Sequence, residues 1–77
     1  MDQTYLNFLD RQMISAQKDM KKAFDDNNSF FQENEGSFHK EKIRDKWYHL
    51  HCLYVNAESY WRNIIEMKLK YERENNG

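Results

Sequence analysis

The chain has 77 residues, twelve basic and thirteen acidic side chains, three histidines, one cysteine and no proline, for a net charge of −1. That length allows a single domain with a thin core, and the lone Cys52 excludes an internal disulfide and fits a reducing compartment. Opposite charges alternate along the chain, which argues against a general electrostatic binder of nucleic acid or membrane.

From Leu6 the apolar residues are Leu6, Leu9, Met13, Ala16, Met20 and Ala23, at steps of 3, 4, 3, 4 and 3. This is the heptad spacing of one helix face. Charged and amide residues such as Arg11, Gln17, Lys18 and Lys22 lie between them as a solvated face. The spacing predicts a first helix over about residues 3–26, capped by Asp2 or Thr4. The run Asp25-Asp26-Asn27-Asn28-Ser29 predicts a stop, because these side chains compete with the backbone for hydrogen bonds. Ser29 with Gln32 fits a short capping box, so a separate helical turn over 29–34 is expected. Phe30 and Phe31 are expected to fold back over the end of the hairpin. The connection ends near Gly36.

Ser37 is the expected N-cap of a second helix over about residues 38–73. Its seam reads Ile43, Trp47, Leu50, Tyr54, Ala57, Trp61, Ile64, Lys68 and Tyr71, at alternating steps of 4 and 3. The polar tail from Glu72 is expected to fray. Two heptad seams with one internal glycine between them predict an all-α fold, a long antiparallel helical hairpin forming one domain over residues 1–77. Pairing outward from the turn places Met20 and Phe24 near Ile43 and Trp47, Met13 and Ala16 near Leu50 and Tyr54, and Leu6 and Leu9 near Ala57 and Trp61.

The second helix carries more apolar surface than the first can cover. A second stripe runs through Leu53, Tyr60, Ile64, Met67 and Tyr71, and Tyr48, Val55 and Leu69 flank the seam on another side. In the expected pairing, Ile65, Met67, Leu69 and Tyr71 project past the end of the shorter helix. Burying each such side chain stabilises by roughly 1.5–3 kcal/mol, so a second protein surface is expected there, completing a four-helix bundle by dimerisation or by a partner. Leu53, Tyr60, Trp61, Ile64, Met67 and Tyr71 are the expected partner-binding residues, since Trp and Tyr concentrate binding energy.

The residues that suggest chemistry have simpler explanations. His49-x-His51-Cys52, with His39 upstream, is the one metal-like cluster. Residues two apart on a helix diverge by about 200°, and zinc needs three or four converging ligands. No metal or cofactor is expected, and Cys52 reads as a small hydrophobe. The acidic pairs Asp25-Asp26 and Glu33/Glu35 sit in turn sequence, where caps explain them. Calcium loops, glycine-rich phosphate cradles and nucleophile elbows do not occur, so no enzymatic role is expected. Lys40, Lys42, Lys46 and His49 at the start of the second helix offer an alternative, a small nucleic-acid-binding regulator acting as a dimer. Glu41 and Asp45 interrupt that stretch.

The N-terminus Met1-Asp2-Gln3-Thr4 is unlike a signal peptide, and no apolar run approaches the roughly 18 residues that span a bilayer. A cytoplasmic location is therefore expected. The layout resembles that of small secretion co-chaperones and of the short inhibitory or adaptor proteins of phages and mobile elements. That resemblance implies a regulator, inhibitor or co-chaperone acting on a partner protein or on a second copy of itself.

Overall fold

The structure is a computed structural model and describes residues 2–76. Its elements are α1, Gln3–Glu33, and α2, Glu41–Asn76, packed against each other as a hairpin with no strand among the described residues. Its extents are 55 × 17 × 13 Å, so the molecule is a rod two helices wide and one helix thick.

Asp2 caps α1: its carboxylate accepts from the Thr4 N–H at 2.9 Å. The predicted stop at Asp25–Ser29 does not stop the helix. α1 runs seven residues further, to Glu33, and takes the Ser29–Gln32 segment and both phenylalanines into its last turns. The heptad explains why. Beyond Ala23 the next seam positions are Asn27 and Phe30, and both are half-buried. The Asn27 amide spends itself on the partner helix, donating to the Trp47 carbonyl at 3.3 Å. Residues such as Asp, Asn and Ser cost about 0.5–0.7 kcal/mol each in a helix interior. Partial burial of Phe30 and the continued pairing with α2 offset a penalty of that size.

Asn34 ends α1. Its backbone N–H and its side-chain amide both reach the Phe30 carbonyl, at 3.1 and 2.9 Å. Gly36 then takes φ +85°, a left-handed conformation that glycine adopts without steric cost. Ser37 is not the N-cap of α2. Its N–H donates to the Asn34 carbonyl and its carbonyl accepts from Lys40, so it belongs to the turn. The Lys40 carbonyl accepts the first N–H groups of α2, from Ile43 and Arg44. The Arg44 guanidinium folds back onto the carbonyls of Phe38 and His39, at 3.0 and 3.1 Å, and ties the turn to the helix. At the far end the tail from Glu72 continues as helix to Asn76, with Asn75 donating to the Tyr71 carbonyl at 2.8 Å. Gly77 lies outside the described residues.

The longer α1 moves the register by about one heptad. Tyr5 meets Tyr71, Asp10 meets Lys68, Gln12 meets Tyr60, Phe24 meets Tyr54 and Asn27 meets Trp47. The expected pairing had set Met20 and Phe24 beside Ile43 and Trp47, and Leu6 and Leu9 beside Ala57 and Trp61. A slip of a whole heptad keeps every seam residue on the seam, so the periodicity alone is equally satisfied by either register. The end of α2 is consequently covered rather than overhanging. The ring of Tyr71 packs edge-on against Tyr5 at 4.7 Å, and its hydroxyl accepts from the Asp2 N–H at 2.8 Å.

The core is thin. Among the described residues, Leu6, Leu9, Ala16 and Ile64 are the buried apolar side chains, and Leu9 is the large one with no exposure at all. Met13, Met20, Leu50, Tyr54 and Trp61 on the seams are half-buried. Two helices side by side shield only the line between them, which is the geometric reason.

Candidate interaction surface

Residues seven apart on a helix lie nearly above one another, so the heptad sorts the exposed apolar side chains onto the two broad faces of the rod. One face carries Phe8 from α1 and Leu53, Tyr60 and Met67 from α2, all exposed. The other carries Ile14, Phe24 and Phe31 from α1 and Tyr48, Val55 and Leu69 from α2, also exposed.

The first face contains half of the expected partner-binding set. Leu53, Tyr60 and Met67 are 47%, 49% and 44% exposed. They stand at seven-residue intervals along about 21 Å of α2. The Tyr60 hydroxyl donates to the Gln12 amide oxygen at 3.1 Å, which fixes the ring across the groove between the helices. The other three expected residues point elsewhere. Ile64 is only 5% exposed and belongs to the core. Trp61 is half-buried on the seam, and its indole N–H is enclosed without an acceptor. Tyr71 is half-buried against Tyr5. For Tyr71 the register slip is the cause, because α1 reaches far enough to cover it. Trp61 and Ile64 are seam positions in either register, and the seam faces α1.

The second face was only partly legible. Tyr48, Val55 and Leu69 stood out as a flank, but Phe24 was expected to face the second helix, and Ile14 and Phe38 fall off the heptad phase. Near the turn this face holds an open cleft lined by Phe31, Phe38, Arg44, Asp45, Trp47 and Tyr48. The rings of Phe31 and Phe38 lie 5.1 Å apart, and those of Phe24 and Tyr54 lie 5.5 Å apart. Phe30 is half-buried beneath the Lys46 ammonium, 5.3 Å from its ring centre, while Phe31 is exposed.

The polar groups of the molecule serve the hairpin. Lys68 donates to Asp10 at 2.7 Å across the helices, and that hydrogen bond holds its ammonium above the usual lysine range. Tyr54 is held above the ordinary tyrosine value, first by its hydrogen bond to Glu58. Tyr48 is likewise raised, chiefly by its hydrogen bond with Cys52. His51 stacks on Trp47 at 5.1 Å, whereas His49 is exposed. The two imidazoles thus occupy different surroundings, and no group of three histidine, cysteine or acidic side chains converges among the described residues.

Lys42, Lys46 and His49 share the Leu53–Tyr60–Met67 side of α2, and Lys40 lies in the turn before it. Asp19, Asp26 and Glu33, at seven-residue steps on α1, fall on the same broad face, so the basic start of α2 has acids beside it. No helix among the described residues is long and apolar enough to cross a membrane.

Comparison with family models, curated proteins and solved structures gives no match to this chain.

Proposed function

We propose that this chain is a non-enzymatic protein–protein interaction module, a small regulator, inhibitor or co-chaperone working in the cytoplasm. It binds through the side of α2 that presents Leu53, Tyr60 and Met67. The observation that carries this reading is the imbalance between what the hairpin buries and what it exposes. Leu6, Leu9, Ala16 and Ile64 are buried, whereas large apolar side chains stand exposed along both broad faces. A monomer that exposes contiguous apolar surface on this scale is typically a component of a larger assembly. Covering each exposed side chain stabilises by about 1.5–3 kcal/mol when burial is complete. The docking mode is a helix side laid against helices, which completes a bundle.

Nucleic-acid binding is the weaker reading, because Asp19, Asp26 and Glu33 break the positive field that phosphate recognition needs. Capture from the native cell tests the main proposal. The wild-type chain is compared with a Leu53→Asn, Tyr60→Ser, Met67→Asn triple variant whose helicity is verified by circular dichroism. The wild type is expected to retain protein that the triple variant loses. Equal retention by both chains refutes the assignment of this face.

A further inference from the structure

The interaction-module reading is the premise here, and the partner is what is added to it. We infer that the Leu53–Tyr60–Met67 face pairs with a second copy of this chain, antiparallel about Tyr60, with Lys46 of each copy against Glu74 of the other. Along this side of α2 the residues at seven-residue steps are Lys46, Leu53, Tyr60, Met67 and Glu74. The stripe is self-complementary on reversal: cation, aliphatic, aromatic, aliphatic, anion. A two-fold contact pairs residue i with j and j with i. With the axis at Tyr60, Leu53 meets Met67, Tyr60 meets its own copy, and Lys46 meets Glu74. Lys46 and Glu74 are both exposed, and neither is in an ion pair within the described chain. A parallel arrangement would oppose Lys46 to Lys46 and Glu74 to Glu74, so the charges choose the direction.

The centre of the surroundings obeys the same operation, while the ends of the next row set His49 near Lys70. Asn56 and Asn63 flank Tyr60 on the next row and exchange places, bringing uncharged amides together beside the aromatic centre. On α1, the side chain that meets Tyr60 is Gln12, an uncharged amide, so the reversal opposes no like charges at the centre. The extent is sufficient as well. Lys46 to Glu74 spans about 42 Å at 1.5 Å per residue, on a face 17 Å wide. About 700 Å² per copy, or about 1,400 Å² in all, lies within the range of stable protein interfaces. The opposite broad face lacks this pattern. Its stripe Tyr48, Val55, Arg62, Leu69 is interrupted at mid-length by Arg62, which is paired with Glu58 at 2.7 Å.

Sedimentation equilibrium and charge exchange test the arrangement. The wild type is expected to form dimers in the micromolar range. Lys46→Glu alone, and Glu74→Lys alone, are expected to weaken dimerisation by roughly three- to tenfold, because each places two symmetry-related like-charge pairs in the rim. The double exchange is expected to restore it. Glu74→Lys leaves the Lys46–Phe30 contact intact, so the two single variants separate a pairing effect from a local one. In a Cys52→Ser background, Tyr60→Cys is expected to oxidise to a disulfide-linked dimer, whereas Met67→Cys is not. A wild type that stays monomeric at high micromolar concentration overturns the self-pairing. So does a dimer that ignores both single exchanges, or one that links through Met67→Cys and not Tyr60→Cys. If the monomeric wild type still captures protein that the Leu53/Tyr60/Met67 triple variant loses, only the identity of the partner falls. If both chains capture alike, the interaction face falls with it.

Discussion

Leu9→Ala is the substitution on which the description of the core stands most exposed to test. Leu9 is the large side chain with no solvent exposure, and its truncation to alanine removes three carbon groups, a methine and two methyls, from the seam. In the middle of a deep core such a change costs about 2–5 kcal/mol, the upper end reflecting a cavity that cannot collapse. In a rod one helix thick the space left by truncation lies close to both broad faces, where it can collapse or take up water. The transfer term alone remains, about 0.8 kcal/mol per group, or about 2.5 kcal/mol. A core this small supplies about 3–5 kcal/mol in total, so the isolated variant hairpin should lie near its unfolding midpoint without denaturant. Urea titration followed by circular dichroism at low micromolar protein measures this directly. Ile14→Ala is the control on the same helix, because Ile14 is exposed and its loss should cost about 0.5 kcal/mol or less. Repeating both titrations at high concentration separates folding from assembly, because association adds stability by mass action. If Leu9→Ala and Ile14→Ala shift the midpoint equally at low concentration, the seam is not where the stability resides and the assigned packing is wrong.

Other consequences follow from single contacts. Tyr71→Ala should lower stability by about 1–2 kcal/mol through loss of the ring contact with Tyr5, and amide hydrogen exchange should accelerate over the first turns of α1; unchanged exchange there would favour the register one heptad away. Trp61→Phe should be near neutral in thermal denaturation despite the lost volume, because it deletes an enclosed N–H that has no acceptor. Raising the pH should destabilise the hairpin. Lys68 and Tyr54 both titrate above their ordinary values when folded, so the folded state holds its protons more tightly. Their contribution is complete below about pH 10 and is lost as the pH rises through the folded values. Lys68→Met should flatten the alkaline limb of the stability curve, and an unchanged limb would contradict the Asp10 contact.

The fold class was legible because the heptads of Leu6–Ala23 and Ile43–Tyr71 specify helices with one apolar line each. Register was not, because a repeating seam is indifferent to a shift by its own period. What distinguishes the two registers is the length of α1, and that turned on the Asp25–Ser29 run. Local chemistry there favours a turn, while the seam continues through Asn27 and Phe30. Asn27 was ambiguous in sequence, since only the partner helix supplies the carbonyl that satisfies its amide. The same shift decided the candidate site in part. Tyr71 was read as outward because the expected register left it past the end of α1, whereas Trp61 and Ile64 were seam positions in either register and were assigned to the partner as well. Leu53, Tyr60 and Met67 lie off the seam in either register, so their exposure did not depend on that choice. Phe8 and Ile14 were unreadable as surface residues because the heptad assigns them to the polar side without saying why an apolar residue stands there.

The reason to expect a partner has therefore moved from the end of the rod to its sides. An overhanging end would have required a cap, and a cap constrains neither direction nor symmetry. Two broad faces with apolar stripes make a stronger demand, because the antiparallel hairpin puts the flanks of both helices on each face. Either face can be covered only by something at least as long as the stripe. On the Leu53–Tyr60–Met67 side a second hairpin has that length and the complementary order of charges. Covering that side leaves the aromatic cleft of Phe31, Phe38, Trp47 and Tyr48 open on the outer surface of the resulting bundle. The two faces are then independent in energy as well as in position. Phe31→Ser should leave the dimer dissociation constant within about twofold of the wild type, as expected for sites that share no partners. A dimer lost on Phe31→Ser, with helicity retained, would place the self-pairing on the aromatic face instead.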